Sequence, residues 1–193
     1  MIYPALALLE FSSIAVGLAA GDAMVKRSPV ATIRAGTVQP GHYLVMVTGG
    51  VAEVEEAVTA GRETGQIALL DMVYLPDIHP DVSQAIGGYH RPVAPQEALG
   101  IIETHTVASA IAAADAGRKG AKVNLVQVRL ADGLQGKGLV LFSGLVADIQ
   151  AAMEIGLSRA ANVLVHQIII PQLHPEMGQT LTPSGRFFDW QAT

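Results

Sequence analysis

Two histidines in this chain are framed alike. Leu75-Pro76-Asp77-Ile78-His79-Pro80 stands near the middle and Ile170-Pro171-Gln172-Leu173-His174-Pro175 near the end. A histidine beside a carboxylate can ligate a metal or move a proton. A metal site needs further donors at close spacing, as in His-Glu-x-x-His, and neither stretch supplies them. Asp77 is answered by Gln172, so an acid–base pair would exist in one stretch and not in the other. The expectation is a structural turn or a subunit-edge contact, with no metal. A second candidate is "DGLQGKG", Asp132 to Gly138. A phosphate-binding loop needs four residues between its first glycine and Gly-Lys, then Ser or Thr. Here the spacing is shorter and Gly138 follows Lys137. With no cysteine there is no thiolate nucleophile and no thiolate-held cluster. No Ser-His-Asp constellation stands out either, so no catalytic residue and no cofactor is assigned, and an enzyme is not expected.

The composition asks where the apolar surface goes. Of 193 residues 50% are apolar and 15% charged, against about 25% charged in an average soluble domain. Mean hydropathy is +0.39. So little charge implies either a membrane span or burial against copies of the same chain. No run approaches the roughly 20 apolar residues that a spanning helix needs; the best candidate, Ile14 to Gly21, stops at Asp22 and Lys26. The first residues carry no basic stretch and Glu10 arrives early, so neither a signal peptide nor a membrane partner is expected. A net charge of −5 argues against nucleic acid as a partner.

The elements that position these residues occur twice. At an offset of 93, "ALALLEFSSIAVGLAAGDAMVKRSPV" lies over "ALGIIETHTVASAIAAADAGRKGAKV", with Glu10 on Glu103, Asp22 on Asp115 and Lys26 on Lys119. Farther on the offset becomes 95, so two extra residues lie between Val123 and Gly136. In that frame Gly41 meets Gly136, Gly49 meets Gly144, and the two histidine stretches coincide. Residues 1–90 and 91–193 are therefore read as two domains, joined through the Gly- and Pro-rich "GGYHRPVAPQEA", Gly87 to Ala98.

Each copy reads alike. A short apolar strand is followed by Ser12-Ser13 or Thr104 to Thr106, which can cap a helix, with Glu10 or Glu103 near the positive helix end. Ile14, Leu18 and Val25 share one face of the first helix, as Val107, Ile111 and Ala114 do in the second. Two strands follow around a Gly-containing turn, then a helix from Val51 to Gly65 or Val146 to Ala160, and a last strand that ends at the Pro-x-x-His-Pro turn. Strand, helix, strand, strand, helix, strand is the ferredoxin-like α+β order, with the helices on one face of an antiparallel sheet.

The stretches "GDAMVKRSPV" and "ADAGRKGAKV", a glycine-centred turn before Leu44-Val45 or Leu139-Val140, "GGVAEV" and "GLVADI", and the Pro-x-x-His turn resemble the bacterial microcompartment shell-protein domain. The likeness covers roughly residues 4–86 and 97–182, in the unpermuted order. It implies a homotrimer of pseudo-hexagonal outline that tiles with itself and other shell proteins in a cytoplasmic microcompartment. It also implies a central pore for small polar or anionic metabolites, lined by Pro40-Gly41-His42-Tyr43 and Gln135-Gly136-Lys137-Gly138. Three lysines and three histidines about one axis would make that constriction positive. The trimer edge and lattice contacts map onto Lys26, Lys119, Pro76, His79, Pro171 and His174. Asp77 and Gln172 stand where family members often carry arginine, which points to a weaker or different edge contact. The tail "GRFFDWQAT", Gly185 to Thr193, is expected to dock on its own trimer. The competing function is a duplicated ferredoxin-like protein that binds a small molecule or regulates.

Overall fold

The structure is a computed structural model that describes residues 4–181; the aromatic tail lies outside the described residues. The first copy runs β1 (Ala5–Phe11), α1 (Ile14–Arg27), β2 (Thr32–Val38), β3 (His42–Gly49), α2 (Val51–Gly65), β4 (Leu69–Leu75) and α3 (Pro80–Ile86). The second runs β5 (Ala98–Thr104), α4 (Val107–Gly120), β6 (Asn124–Leu130), β7 (Gly138–Gly144), α5 (Val146–Leu157), β8 (Leu164–Ile170) and α6 (Pro175–Thr180). The antiparallel sheets have orders β2-β3-β1-β4 and β6-β7-β5-β8, the ferredoxin-like arrangement expected from the repeat.

Every residue of β1 is buried, which is why its sequence is an apolar run without alternation. Ala5, Ala7, Leu9 and Phe11 pack with Ala20 and Met24 of α1 and Val54, Ala57 and Val58 of α2. Leu6 and Leu8 belong to a different cluster, which runs through Ile78, Val82 and Ile86 into Ile111 and Phe142 of the second copy. One core cluster thus spans both halves, beside a separate one inside the first. Segment 87–97 forms no helix or strand but is not a free linker: Arg91 N–H donates to Val126 O at 3.0 Å, and Val93 packs beside Leu99 and Leu141.

Three local features depart from the sequence reading. Helix α5 ends at Leu157 instead of Ala160, where the Ser158 hydroxyl donates to Ile155 O and competes for a terminal carbonyl. Each Pro-x-x-His-Pro stretch opens a short helix. His79 Nδ1 accepts from Asp81 N–H at 3.1 Å, His174 Nδ1 from Glu176 N–H at 3.3 Å, and Pro80 and Pro175 take the first helical turn, where no N–H is required. The apolar stripe of α1 also does not face its own sheet. Gly17, Ala20, Gly21 and Met24 do, while Ile14, Leu18 and Val25 point away and are exposed.

Small residues let the helices of the second copy touch backbone to backbone. A Cβ built on Gly117 would lie 2.8 Å from both Ala152 O and Phe142 Cζ, and one on Gly156 would lie 2.9 Å from Ala113 O. Gly117→Ala is therefore expected to lower unfolding free energy by about 1–3 kcal/mol. Gly36→Ala, where a Cβ meets nothing within 4 Å, should be near neutral in the same urea titration.

Candidate functional site

The two glycine-centred turns come together. A Cβ built on Gly136 would lie 3.2 Å from Pro40 Cδ and 3.6 Å from His42 Cε1, so the β2–β3 and β6–β7 turns of one chain are in contact. Gly41 and Gly136 take φ of +112° and +88°, the left-handed region that glycine enters without strain, and Gln135 follows at +55°. The second turn spans the two extra residues between β6 and β7. Pro40, Gly41 and Gln135 are exposed. Tyr43 and Gly138 are not turn residues: Tyr43 is buried against Gly17 of α1, and Gly138 starts β7 under Ala110.

His42 and Lys137 each lie beside an acid. His42 Nδ1 lies 3.1 Å from Glu10 Oε1, and Lys137 Nζ lies 2.7 Å from Glu103 Oε1. The strand residues that the repeat superposes, Glu10 and Glu103, therefore hold the turn residues that it superposes, His42 and Lys137. Each turn thus has an acid close behind its basic side chain, which offsets the positive field a base alone would set up.

Glu10 does more than pair with a histidine. Its side chain is wholly buried, and Oε2 accepts the Val107 N–H at 2.9 Å, at the first residue of α4 in the other half of the chain. Ser13 caps α1 as the sequence suggests, its Oγ accepting from Val16 N–H, but Glu10, expected near the start of that helix, reaches the start of α4 instead. Burial raises the Glu10 pKa, with Asp71 adding to the rise, while the Val107 N–H and His42 oppose it. Asp71 Oδ2 in turn accepts from the Thr106 and Ser109 hydroxyls, the latter at 2.7 Å. Two carboxylates of the first sheet thus close the amino end of α4, where the helix dipole favours negative charge.

The edge residues form a second cluster on this junction. His79 N–H donates to Asp115 Oδ1 at 2.8 Å, Asp115 Oδ2 pairs with Lys119 at 2.7 Å, and Lys119 also donates to Asp77 O. Arg118 Nε donates to Asp81 Oδ2 at 2.7 Å. Their counterparts are not brought together: among the described residues the exposed Lys26 pairs with Asp22 on its own helix, and His174 and Pro171 are exposed, as is Pro76 of the first stretch. Among the described residues no group of three or more His, Asp and Glu side chains is arranged to hold a metal ion.

Equivalent positions differ sharply in cover. Val107 and Ile111 are 0% exposed, while Ile14 and Leu18 are 40% and 54% exposed. Strand register pairs Leu125, 4% exposed, with Ile33, 44% exposed. On the other side Val73 and Val82, at 6% and 0%, correspond to Ile168 and Met177, at 49% and 56%. The first half covers α4 and β6 with β4 and α3; among the described residues no element covers α1 and β2, or uses β8 and α6, in that way.

Comparison with known proteins follows this geometry. The BMC domain family matches residues 5–78 and again 98–173. A bacterial microcompartment shell protein, PduT of Citrobacter freundii, is 38% identical over 175 residues, 90% of this chain and 95% of that protein. The carboxysome assembly protein CcmO of Synechocystis is 27% identical over 96% of this chain and 67% of its own length. The crystal structure of a microcompartment protein from Desulfitobacterium hafniense superposes with a TM-score of 0.78 at 38% identity, covering 92% of this chain and 99% of that one.

Glu10→Ala strands the Val107 N–H and His42, and is expected to cost about 1–3 kcal/mol in urea unfolding. The pH response has a definite sign. Because the folded pKa lies above its ordinary value of 4.5, ionised Glu10 detracts from stability, increasingly as pH rises through the folded pKa. Measured against pH, unfolding of Glu10→Gln should therefore gain on wild type from about pH 4 upward. A difference that stays flat or runs the other way contradicts the assignment.

Proposed function

Because the chain belongs to the BMC-domain family and carries the domain twice, we propose that it is a structural shell protein of a bacterial microcompartment in the cytoplasm. It forms a homotrimer of pseudo-hexagonal outline, tiles edge to edge with itself and with other shell proteins, and lets small polar metabolites through a central pore. The role is structural, without catalysis.

The observation that carries this reading is the unequal cover of equivalent surfaces. The contact that buries Val107, Ile111 and Leu125 within the chain is heterologous: one patch of the domain meets a different patch of its copy. Such a contact leaves one unused head and one unused tail per chain, and repetition closes a ring or runs on as a filament. Here the unused head is Ile14, Leu18 and Ile33, and the unused tail is Ile168 and Met177. Three chains supply the six domains of a pseudo-hexagon, and every seam is then covered alike.

In such a ring three copies of each turn approach one axis. His42 and Lys137 line the passage with their partner acids behind them, which suits hydrated polar solutes, with a residual preference for anions. Lys26 and Lys119 lie at the trimer periphery, with the Pro76–His79 and Pro171–His174 segments, as lattice contacts.

Native mass spectrometry should give a species of three 20.1 kDa chains, and negative-stain electron microscopy should show hexagonal sheets or tubes. A monomer at micromolar concentration contradicts the reading. Discrete trimers that never form sheets favour the other one, a duplicated ferredoxin-like binding or regulatory protein, whose ligand would enter the cleft lined by Leu8, Arg34, Leu44, Met46 and Leu130. For the pore, Lys137→Glu sets two uncompensated carboxylates side by side. Passage of anionic solutes into shells built with it should fall; unchanged permeability contradicts the pore assignment.

A further inference from the structure

The trimer reading leaves open which bonds hold one chain to the next, and the chain contains its own template for them. Strand register makes Glu10 and Glu103 equivalent: Glu10 lies between Leu44 and Asp71, and Glu103 between Leu139 and His166. Val107 and Ile14 are likewise equivalent, each the first residue of its helix behind the caps Thr106 and Ser13. Within the chain Glu10 accepts the Val107 N–H at 2.9 Å and is fully covered. Glu103 has the same connection to its turn, through Lys137, yet its side chain is 32% exposed. Among the described residues no helix end of the same chain meets Glu103 as α4 meets Glu10.

Resting on the trimer reading, we propose that Glu103 of each chain caps α1 of the next chain by accepting the Ile14 backbone N–H. The first amides of a helix have no acceptor inside it, and a carboxylate there gains both a hydrogen bond and the helix dipole. Ser13 already takes the Val16 and Gly17 amides through its Oγ and its carbonyl, which leaves the Ile14 and Ala15 amides for an incoming acceptor, and Ile14 is the one that matches Val107. The neighbouring contact is not repeated. Asp71 binds the Thr106 and Ser109 hydroxyls within the chain, but His166 stands in its place, and Val16 takes the place of Ser109 with no hydroxyl. Of the two carboxylates that close α4, Glu10 and Asp71, only Glu10 has an acidic counterpart for the seam between chains, Glu103. That seam consequently leans on Glu103 more heavily than the internal seam leans on Glu10.

The experiment is trimer dissociation on dilution, followed by native mass spectrometry, for wild type, Glu103→Ala and Glu103→Gln. Glutamine loses the ion pair to Lys137 but retains an oxygen that can accept the Ile14 amide; alanine loses both. Alanine is expected to raise the dissociation midpoint by about 10-fold or more. Glutamine should stay within about 3-fold of wild type, with unchanged far-ultraviolet circular dichroism for both. If alanine dissociates like wild type, or glutamine and alanine shift equally, the proposed cap is wrong while the trimer stands. If wild type shows no trimer at any concentration, the trimer reading falls and the cap falls with it.

Discussion

A buried carboxylate joins the two halves of this chain. Glu10 sits at the end of an otherwise apolar strand, and one oxygen holds the turn at His42 while the other closes a helix of the second domain. Its position in the shared core would be costly for an ion without partners. The Val107 amide and the His42 ring supply them, so turn, sheet and neighbouring domain are fixed by one group. Register follows from it: if β1 slipped by one residue against β3, Glu10 would leave the junction and enter the packing under α1 and α2.

Around that bond the chain obeys a simple constraint. A single copy of the domain has more apolar surface than its own sheet and helices can cover, and the surplus lies on two different sides. Duplication covers one side of each copy: α4 and β6 of the second are sheltered by β4 and α3 of the first. The other sides remain as Ile14, Leu18 and Ile33 at one end and Ile168 and Met177 at the other. This accounts for a chain with half its residues apolar and few charges. In the proposed ring, fusion also frees the two copies to differ, so the turns carry His42 with Glu10 and Lys137 with Glu103 alternately.

Much of this was legible in the sequence, and the limits have physical causes. The repeat and the strand and helix order follow from offsets and periodicity, because those features are local or copied; a meeting of the glycine-centred turns was implied by the family resemblance alone. The α1 stripe of Ile14, Leu18 and Val25 was visible, but periodicity identifies an apolar face without saying what covers it. The short helices α3 and α6 were read as turns because Pro-x-x-His-Pro suggests a break; a histidine acting through Nδ1 as a cap is a rare signal. The cross-domain bond of Glu10 joins residues 97 apart and could not be read from spacing. Its one trace was that the same acid recurs at position 103, at the same place in an apolar strand.

The central claim is that the contact seen inside the chain recurs between chains. Hydroxyl-radical footprinting of the protein in solution tests it residue by residue. Ile14, Leu18, Ile33, Ile168 and Met177 are expected to be protected to the level of Val107, Ile111, Leu125, Val73 and Val82, and to become reactive together on dilution. Reactivity in proportion to their exposure in the single chain, independent of concentration, would contradict it.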